Sequence, residues 1–340
     1  MQEKRVTIRQ IAAQAGYSKS TVALALRGDR RVAADTRAEI ETIATSLGYR
    51  QNPVVSHLMA ELSQRGQQDY QATLAMINIA PDPTVLDRCG AAQTWASHAE
   101  RRAWELGYRI DRFWAHDPNR SIHQLAEILH ARSIRGLLIM NSSGMTHLPK
   151  SVHTLCEPFS CLVVGNRMVD PPLNFVCNDQ YNTALETVKR IAARGALRPG
   201  LVLWRGLDHY VELRFSGGFQ KGCELAYPGR TSLPVLTVAA NDQDALQAWV
   251  EKNAPDAIIC INEWPQQWLH QQGIHTDCFT LDCNQTWRPL PGMDQNNPVI
   301  GAVAAEQLIG QIHRQETGIP EVTRCVLIES TWKDPPPSSS

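Results

Sequence analysis

No stretch of this chain approaches the eighteen or so consecutive apolar residues of a membrane-spanning helix, and its first residues hold no apolar core of the kind a secretion signal needs. A soluble cytoplasmic protein is the expectation. The nine cysteines stand singly, odd in number and without a Cys-x-x-Cys pair, which speaks against a disulfide framework and a zinc ribbon and fits a reducing compartment. Catalytic signatures are missing too. There is no Gly-x-Ser-x-Gly elbow, no Gly-x-x-x-x-Gly-Lys phosphate loop and no His-Glu-x-x-His helix, and His147, His153 and His209 are scattered rather than set at ligand spacing. The chain is therefore expected to be no enzyme and to hold neither metal nor cofactor. It also has little net charge, -1 over 340 residues.

That balance hides an asymmetry. Residues 1–65 carry ten Lys and Arg against six Asp and Glu, so a module of charge +4 precedes a remainder of -5. A small basic module on a mildly acidic body suits a polyanion bound at one end. Inside the module, Thr7 followed three residues later by Gln10 reads as a capping box, and Ile8, Ile11, Ala12 and Ala15 recur at helical spacing. Gly16 can take the left-handed conformation that ends this first helix, and Ser18 can cap a second whose buried stripe is Val22, Ala25 and Leu26. A third amphipathic helix is expected over residues 34–47, with Ile40, Ile43, Ala44 and Leu47 inward and Gly48 as its stop. Two short helices and a tight turn make a helix-turn-helix. In that motif the start of the second helix faces base edges, here with Lys19, Ser20 and, one turn on, Leu24. Arg27, Arg30 and Arg31 follow where a loop can bring them to phosphates. The same hairpin also occurs in α-rich domains that never meet DNA.

Residues 6–59 resemble the DNA-binding headpiece of the lactose-repressor (LacI/GalR) family of bacterial transcription regulators. The resemblance rests on Val6-Thr7-Ile8, Ile11-Ala12, Ala15-Gly16, Ser18, Thr21-Val22, Thr36-Arg37, Leu47-Gly48-Tyr49 and Asn52-Pro53. Asn52 as a cap and Pro53 at the first helical position begin a short helix that alone is only marginally stable. In the family this hinge helix folds when the dimer meets its operator, and a leucine at the place of Leu58 wedges into the minor groove and kinks the DNA. The alternative is that Leu58 and Met59 dock the headpiece on the body. The DNA contacts expected on this basis are Thr7, Ser18, Lys19, Ser20, Thr21, Leu24, Arg27, Arg31, Asn52 and Leu58.

From Thr73 onward short apolar runs alternate with helical ones, the pattern of a parallel sheet with crossover helices. Strands are expected at 74–80, 109–114, 136–140, 161–165, 200–204, 234–238, 257–261, 278–282 and 323–329. Helices are expected at 91–106, 121–132, 180–194, 212–226, 242–253, 264–272 and 298–315. This α/β order resembles the periplasmic-binding-protein-like core of the same family, which implies two doubly wound parallel-sheet lobes around a ligand cleft, joined by three crossings placed near Leu197, Pro291 and Arg324. The expected division is a helix-turn-helix headpiece at 1–51, a hinge helix and linker at 52–70, a core at 71–332 and a disordered tail at 333–340. Within the core the N-lobe takes 71–196 and 292–323, and the C-lobe 197–291 and 324–332.

Ligands of open α/β sheets sit beyond the carboxyl ends of the strands, which nominates the loops after Ala80, Met140, Trp204, Ile261 and Asp282. Arg214 resembles the family's effector-binding arginine, with spacing one residue long if Gly218-Phe219 is the glycine-aromatic pair that follows it. Asn262-Glu263 resemble the Asn-Asp after the next strand, and Asp282 the acid after the one following. With Trp204 and Arg205 these form the expected effector site, since Asn, acid and Arg suit a polyhydroxylated ligand whose hydroxyls both donate and accept. Trp204, Trp264 and Trp287 can stack on a sugar face or serve the core, and Asp179 reads as an N-cap. Two departures bear on the ligand: Gly165-Asn166-Arg167 stands where many relatives carry an acid, and the segment 262–282 is short.

The resemblance implies a transcription regulator, a repressor, that binds a palindromic operator as a homodimer under control of a small carbohydrate-like effector. Its location would be cytoplasmic and nucleoid-associated, with no membrane partner. Asp334-Pro335-Pro336-Pro337 cannot continue a helix, which argues against the tetramer-forming helix that some relatives add. The other reading is a small-molecule binding protein or sugar-modifying enzyme with a basic assembly segment.

Overall fold

In a computed structural model of the chain, three helices, Ile8–Ala15 (α1), Lys19–Leu26 (α2) and Ala34–Ser46 (α3), close around one small apolar cluster. The structure describes residues 8–26, 32–47, 72–88, 90–142, 144–239, 241–285 and 289–335. Thr7, Arg27, Arg30, Arg31, Gly48, the hinge and linker at 52–70 with Asn52 and Leu58, Trp287 and residues 336–340 therefore lie outside the described residues. Gly16, at φ +72°, ends α1, donating its N–H to the Ala12 carbonyl over 3.1 Å. Ile11, Ala12, Val22, Ala25, Val32, Ile40 and Ala44 are buried, with Leu26, Ile43 and Leu47 half-buried at the edge. The Tyr17 hydroxyl donates to Glu39 over 2.8 Å and ties the turn to α3.

Residues 70–340 form a second compact unit. Its strands are Ala72–Asn78 (β1), Tyr108–Trp114 (β2), Gly136–Asn141 (β3), Ser160–Gly165 (β4), Phe175–Asn178 (β5) and Pro199–Trp204 (β6). Leu236–Val238 (β7), Ala257–Cys260 (β8), Asp277–Thr280 (β9), Gly292–Asp294 (β10), Cys325–Ile328 (β11) and Thr331–Lys333 (β12) complete them. They make two six-stranded sheets, ordered β11-β5-β4-β3-β1-β2 and β12-β10-β9-β8-β6-β7. Every neighbouring pair is parallel except β10 with β12.

Parallel strands covered on both faces must be apolar throughout, and β3 and β4 are buried at every position. In the first lobe Ile122–Ala131 and Lys150–Cys156 cover one face of the sheet, and Gly90–Glu105 and Asn297–His313 the other. The latter two helices meet closely through small residues: a Cβ on Gly301 would lie 2.3 Å from the Trp95 carbonyl oxygen. In the second lobe Gln180–Ala192 and Arg214–Ala226 cover one face, and Gln243–Asn253 and Trp264–Gln271 the other.

The lobe boundaries differ from those expected. Ala184, Val188 and Ile191 pack with Leu201, Phe215 and Phe219 of the second lobe, so the first crossing falls at Asp179 rather than near Leu197. The second crossing falls at 295–296, beyond Pro291, and the third at 329–330, beyond Arg324. The run expected as one strand at 323–329 is β11 of the first sheet, while β12 pairs in the second. The tail also begins later than expected. Lys333 lies in β12, and Asp334 accepts from Arg194 at 2.5 Å and from the Trp332 indole at 3.1 Å. Among the described residues no helix is long and apolar enough to cross a membrane.

Two adjacent glycines of the helix Arg214–Ala226 give opposite expectations. A Cβ on Gly218 would stand 2.1 Å from the Tyr181 carbonyl oxygen, whereas on Gly217 its nearest neighbour is the Tyr181 ring at 3.9 Å. Gly218→Ala should destabilise the second unit by about 1–3 kcal/mol. Gly217→Ala should stabilise it by roughly 0.5–1 kcal/mol through helix propensity. Denaturant unfolding followed by tryptophan emission checks both signs.

Candidate functional site

Ser18 caps α2: the Thr21 N–H donates to Ser18 Oγ over 3.1 Å, and the two hydroxyls lie 2.8 Å apart. Because Val22 and Ala25 point into the core, the opposite side of the helix start is open, and Ser18 and Lys19 are exposed there. Thr21 is half-buried and Ser20 is the second residue of α2. Leu24 packs partly against the headpiece core, so only a portion of its side chain faces outward.

In the second unit the chemistry gathers at strand ends. β1, β3 and β5 each close in a buried asparagine, Asn78, Asn141 and Asn178. Asn141 donates to the carbonyls of Met145 (2.6 Å) and Asn166 (3.0 Å) and accepts from the Met145 N–H (3.2 Å), fixing the loops that carry Gly144 and Arg167. Tyr210, at the end of the second-lobe helix Arg205–Tyr210, lies directly over Gly144, where a Cβ would come within 2.2 Å of the ring. The same ring meets Trp204 edge-on, with centroids 5.7 Å apart. A bridge of charge runs alongside. Arg167 of the first lobe donates to Glu212 Oε1 over 2.9 Å, and Arg214 of the second donates to Glu212 Oε2 over 3.1 Å.

The backbone bearing that carboxylate is strained. Glu212 and Leu213 sit successively at φ +56° and +59°, a left-handed conformation that costs about 1–2 kcal/mol per residue without a glycine. Asp208, buried beneath the turn, holds it by accepting from the Ser216 N–H at 3.3 Å and, through its carbonyl, from the Leu213 N–H at 2.8 Å. Burial pushes the thiol of Cys177, in β5, up to about 12 against the pull of the Arg214 charge.

Of the expected effector residues, Trp204 (37% exposed), Arg205 and Arg214 share one second-lobe segment at the end of β6. Asn262 is half-buried and Glu263 exposed just past β8, the neighbouring strand. Asp282, past β9, is fully buried and accepts from the Asn284 N–H (3.0 Å) and side-chain amide (3.2 Å), so it shapes its loop. Ser142 Oγ and Gln180 Oε1, beside the ends of β3 and β5, are buried without a hydrogen-bond partner among the described residues. Cavities of about 440, 620 and 500 Å³ open elsewhere, around Arg198 and Tyr227, His270 and Asp277, and Arg135 and Phe159, near the amino ends of strands. The sequence reading missed Asn141, Asp208, Tyr210 and Glu212. An asparagine closing an otherwise apolar strand, seen in β1, β3 and β5, is the signal that could have flagged the first.

The described residues thus form a three-helix unit with a helix-turn-helix and a body of two parallel-sheet lobes. Residues 7–52 match the family of bacterial regulatory proteins, lacI family. Over 55 residues the chain is 47% identical to the HTH-type transcriptional regulator PtxS of Pseudomonas plecoglossicida, a match covering 16% of each protein. Along nearly its full length it shares the fold of the transcriptional regulator CelR in complex with cellobiose (TM-score 0.59, 15% identity, 97% of this chain and 99% of that one). It likewise resembles the lac repressor dimer bound to operator and the anti-inducer ONPF (TM-score 0.57, 18% identity, 98% of both chains). The sequence of residues 7–52 thus matches the lacI family, and along its length the chain shares the fold of these solved structures.

Removing the cap that starts α2 tests its local role. Ser18→Ala should lower headpiece stability by about 0.5–2 kcal/mol. Hydrogen exchange should show earlier loss of amide protection in α2, with the tryptophan-reported unfolding of residues 70–340 unchanged.

Proposed function

We propose that this protein is a transcription regulator, a repressor, that binds a palindromic operator as a homodimer and responds to a small sugar-like ligand between its lobes. The observation that carries the reading is the match of residues 7–52 to the lacI family together with the open, capped start of α2. Lys19, Ser20, Thr21 and Leu24 would face base edges, with Thr7, Ser18, Arg27, Arg31 and Asn52 on phosphates and Leu58 at the centre of the site. Trp204, Arg205, Arg214, Asn262 and Glu263 would line the ligand cleft, with Asp282 supporting its loop. Lobe closure on the ligand would alter the spacing of the two headpieces and so the affinity for DNA. The protein would act in the cytoplasm at the nucleoid, catalysing no reaction. The likeness to a cellobiose-bound regulator and to an operator-bound dimer supports both halves of this reading.

Two measurements test it. Selection from random DNA should return a pseudo-palindrome, with binding that falls steeply with salt as phosphate contacts release counterions. Binding that stays flat from low to moderate salt contradicts it. Leu24, half-buried and apolar, can offer only a contact such as that to a thymine methyl, so Leu24→Arg should change the preferred base and cost about 1–3 kcal/mol on the original site. An identical selected site for both proteins would show that the recognition helix is set in another register.

A further inference from the structure

The bridge between the lobes has an unusual composition. Two guanidiniums from opposite lobes, Arg167 past β4 and Arg214 past β6, converge on one carboxylate, that of Glu212, which takes one on each oxygen. The three side chains keep 42%, 27% and 36% of their surface open, so solutes can reach them. Arg205, a third guanidinium, is exposed at the start of the neighbouring helix. The backbone that presents Glu212 is held in two successive left-handed residues. Such strain persists where surrounding structure imposes it, and it collects at clamps and switch segments.

We propose that the ligand of the cleft carries an anionic group, a carboxylate or a phosphate, that binds between Arg167 and Arg214, and that Glu212 occupies this place as the protein's own anion. The inference rests on the cleft being the ligand site. A planar or tetrahedral oxyanion matches paired guanidinium forks better than a neutral hydroxyl does. When it arrives, Glu212 swings out, its strained turn relaxes, and the lobes stay joined through the ligand. The unpartnered Ser142 Oγ past β3 and Gln180 Oε1 past β5 suit hydroxyls on the rest of the molecule. The ligand class is thus an acidic or phosphorylated polyol.

The test uses the full-length protein and simple anions. All nine tryptophans lie between residues 95 and 332, so their emission reports melting of the second unit alone. In Glu212→Gln the two arginines lose their internal anion. Inorganic phosphate or malonate at roughly ten times its Kd should raise the melting temperature by roughly 3 °C over sodium chloride of equal ionic strength. Wild type should respond less, and Glu212→Gln combined with Arg167→Gln should not respond. Phosphate outperforming malonate, or the reverse, tells which anion the site takes. Glu212→Gly, which suits the left-handed backbone, should behave like Glu212→Gln and covers the case in which the latter fails to fold. Absence of an anion-specific shift in both single variants, or an equal shift in the double variant, overturns the proposal. Stabilisation of all forms by neutral cellobiose alone would overturn the anion while leaving a ligand cleft, and failure to select any DNA would count against the regulator reading instead.

Discussion

The site of the second unit is constrained by one fact: its central parallel strands are covered on both faces. The middle of such a sheet has no solvated face on which to place chemistry, so away from the edge strands charge and hydrogen-bonding capacity gather at the strand ends and the loops beyond them. The buried asparagines that close β1, β3 and β5 mark this limit. Asn141 satisfies its own polar atoms by gripping loop carbonyls, and in doing so sets Gly144 under Tyr210 and Arg167 opposite Glu212. The apolar core thereby dictates the geometry of the polar boundary.

The fold was legible where runs were long and the pattern was strong. The helical spacing of Ile11, Val22, Ala25 and Ile40 announced the headpiece core, and the apolar runs of β3 and β4 announced central strands. Short elements were not legible. β5 has four residues and β10 and β12 three each, too few to carry a period. Without β5 between β4 and the helix Gln180–Ala192, the sequence places that helix in the first lobe, whereas its inward residues pack on Leu201 and Phe219 of the second. Periodicity tells which face of a helix is buried, not which sheet it is buried against.

The candidate cleft was legible residue by residue but not as an arrangement. Arg214 could be nominated from its place ahead of a glycine-aromatic pair at a helix start, yet nothing in the sequence pairs it with Glu212, two positions back, which sits in two successive left-handed residues in a stretch without glycine, Val211-Glu212-Leu213. Sequence rules assign such conformations to glycine or asparagine and so pass over the turn. Asp282 went the other way: an acid at a strand end looked available, and the structure spends it on the Asn284 amides.

The three crossings between lobes are laced to one another. Asp179 donates its N–H to Ile328 (2.9 Å), Asn296 donates its amide to the Glu329 carbonyl (2.8 Å), and Thr183 shares a 2.7 Å hydrogen bond with Ser330. Three independent tethers would let one lobe twist, slide or tilt over the other. Tethers bonded side by side act as a single ribbon, whose easiest deformation is bending about the axis that runs across it. The body is therefore built like a book with a narrow spine: its covers can part where Arg167 and Glu212 meet, but shearing along the spine would tear the hydrogen bonds that bind the three crossings together.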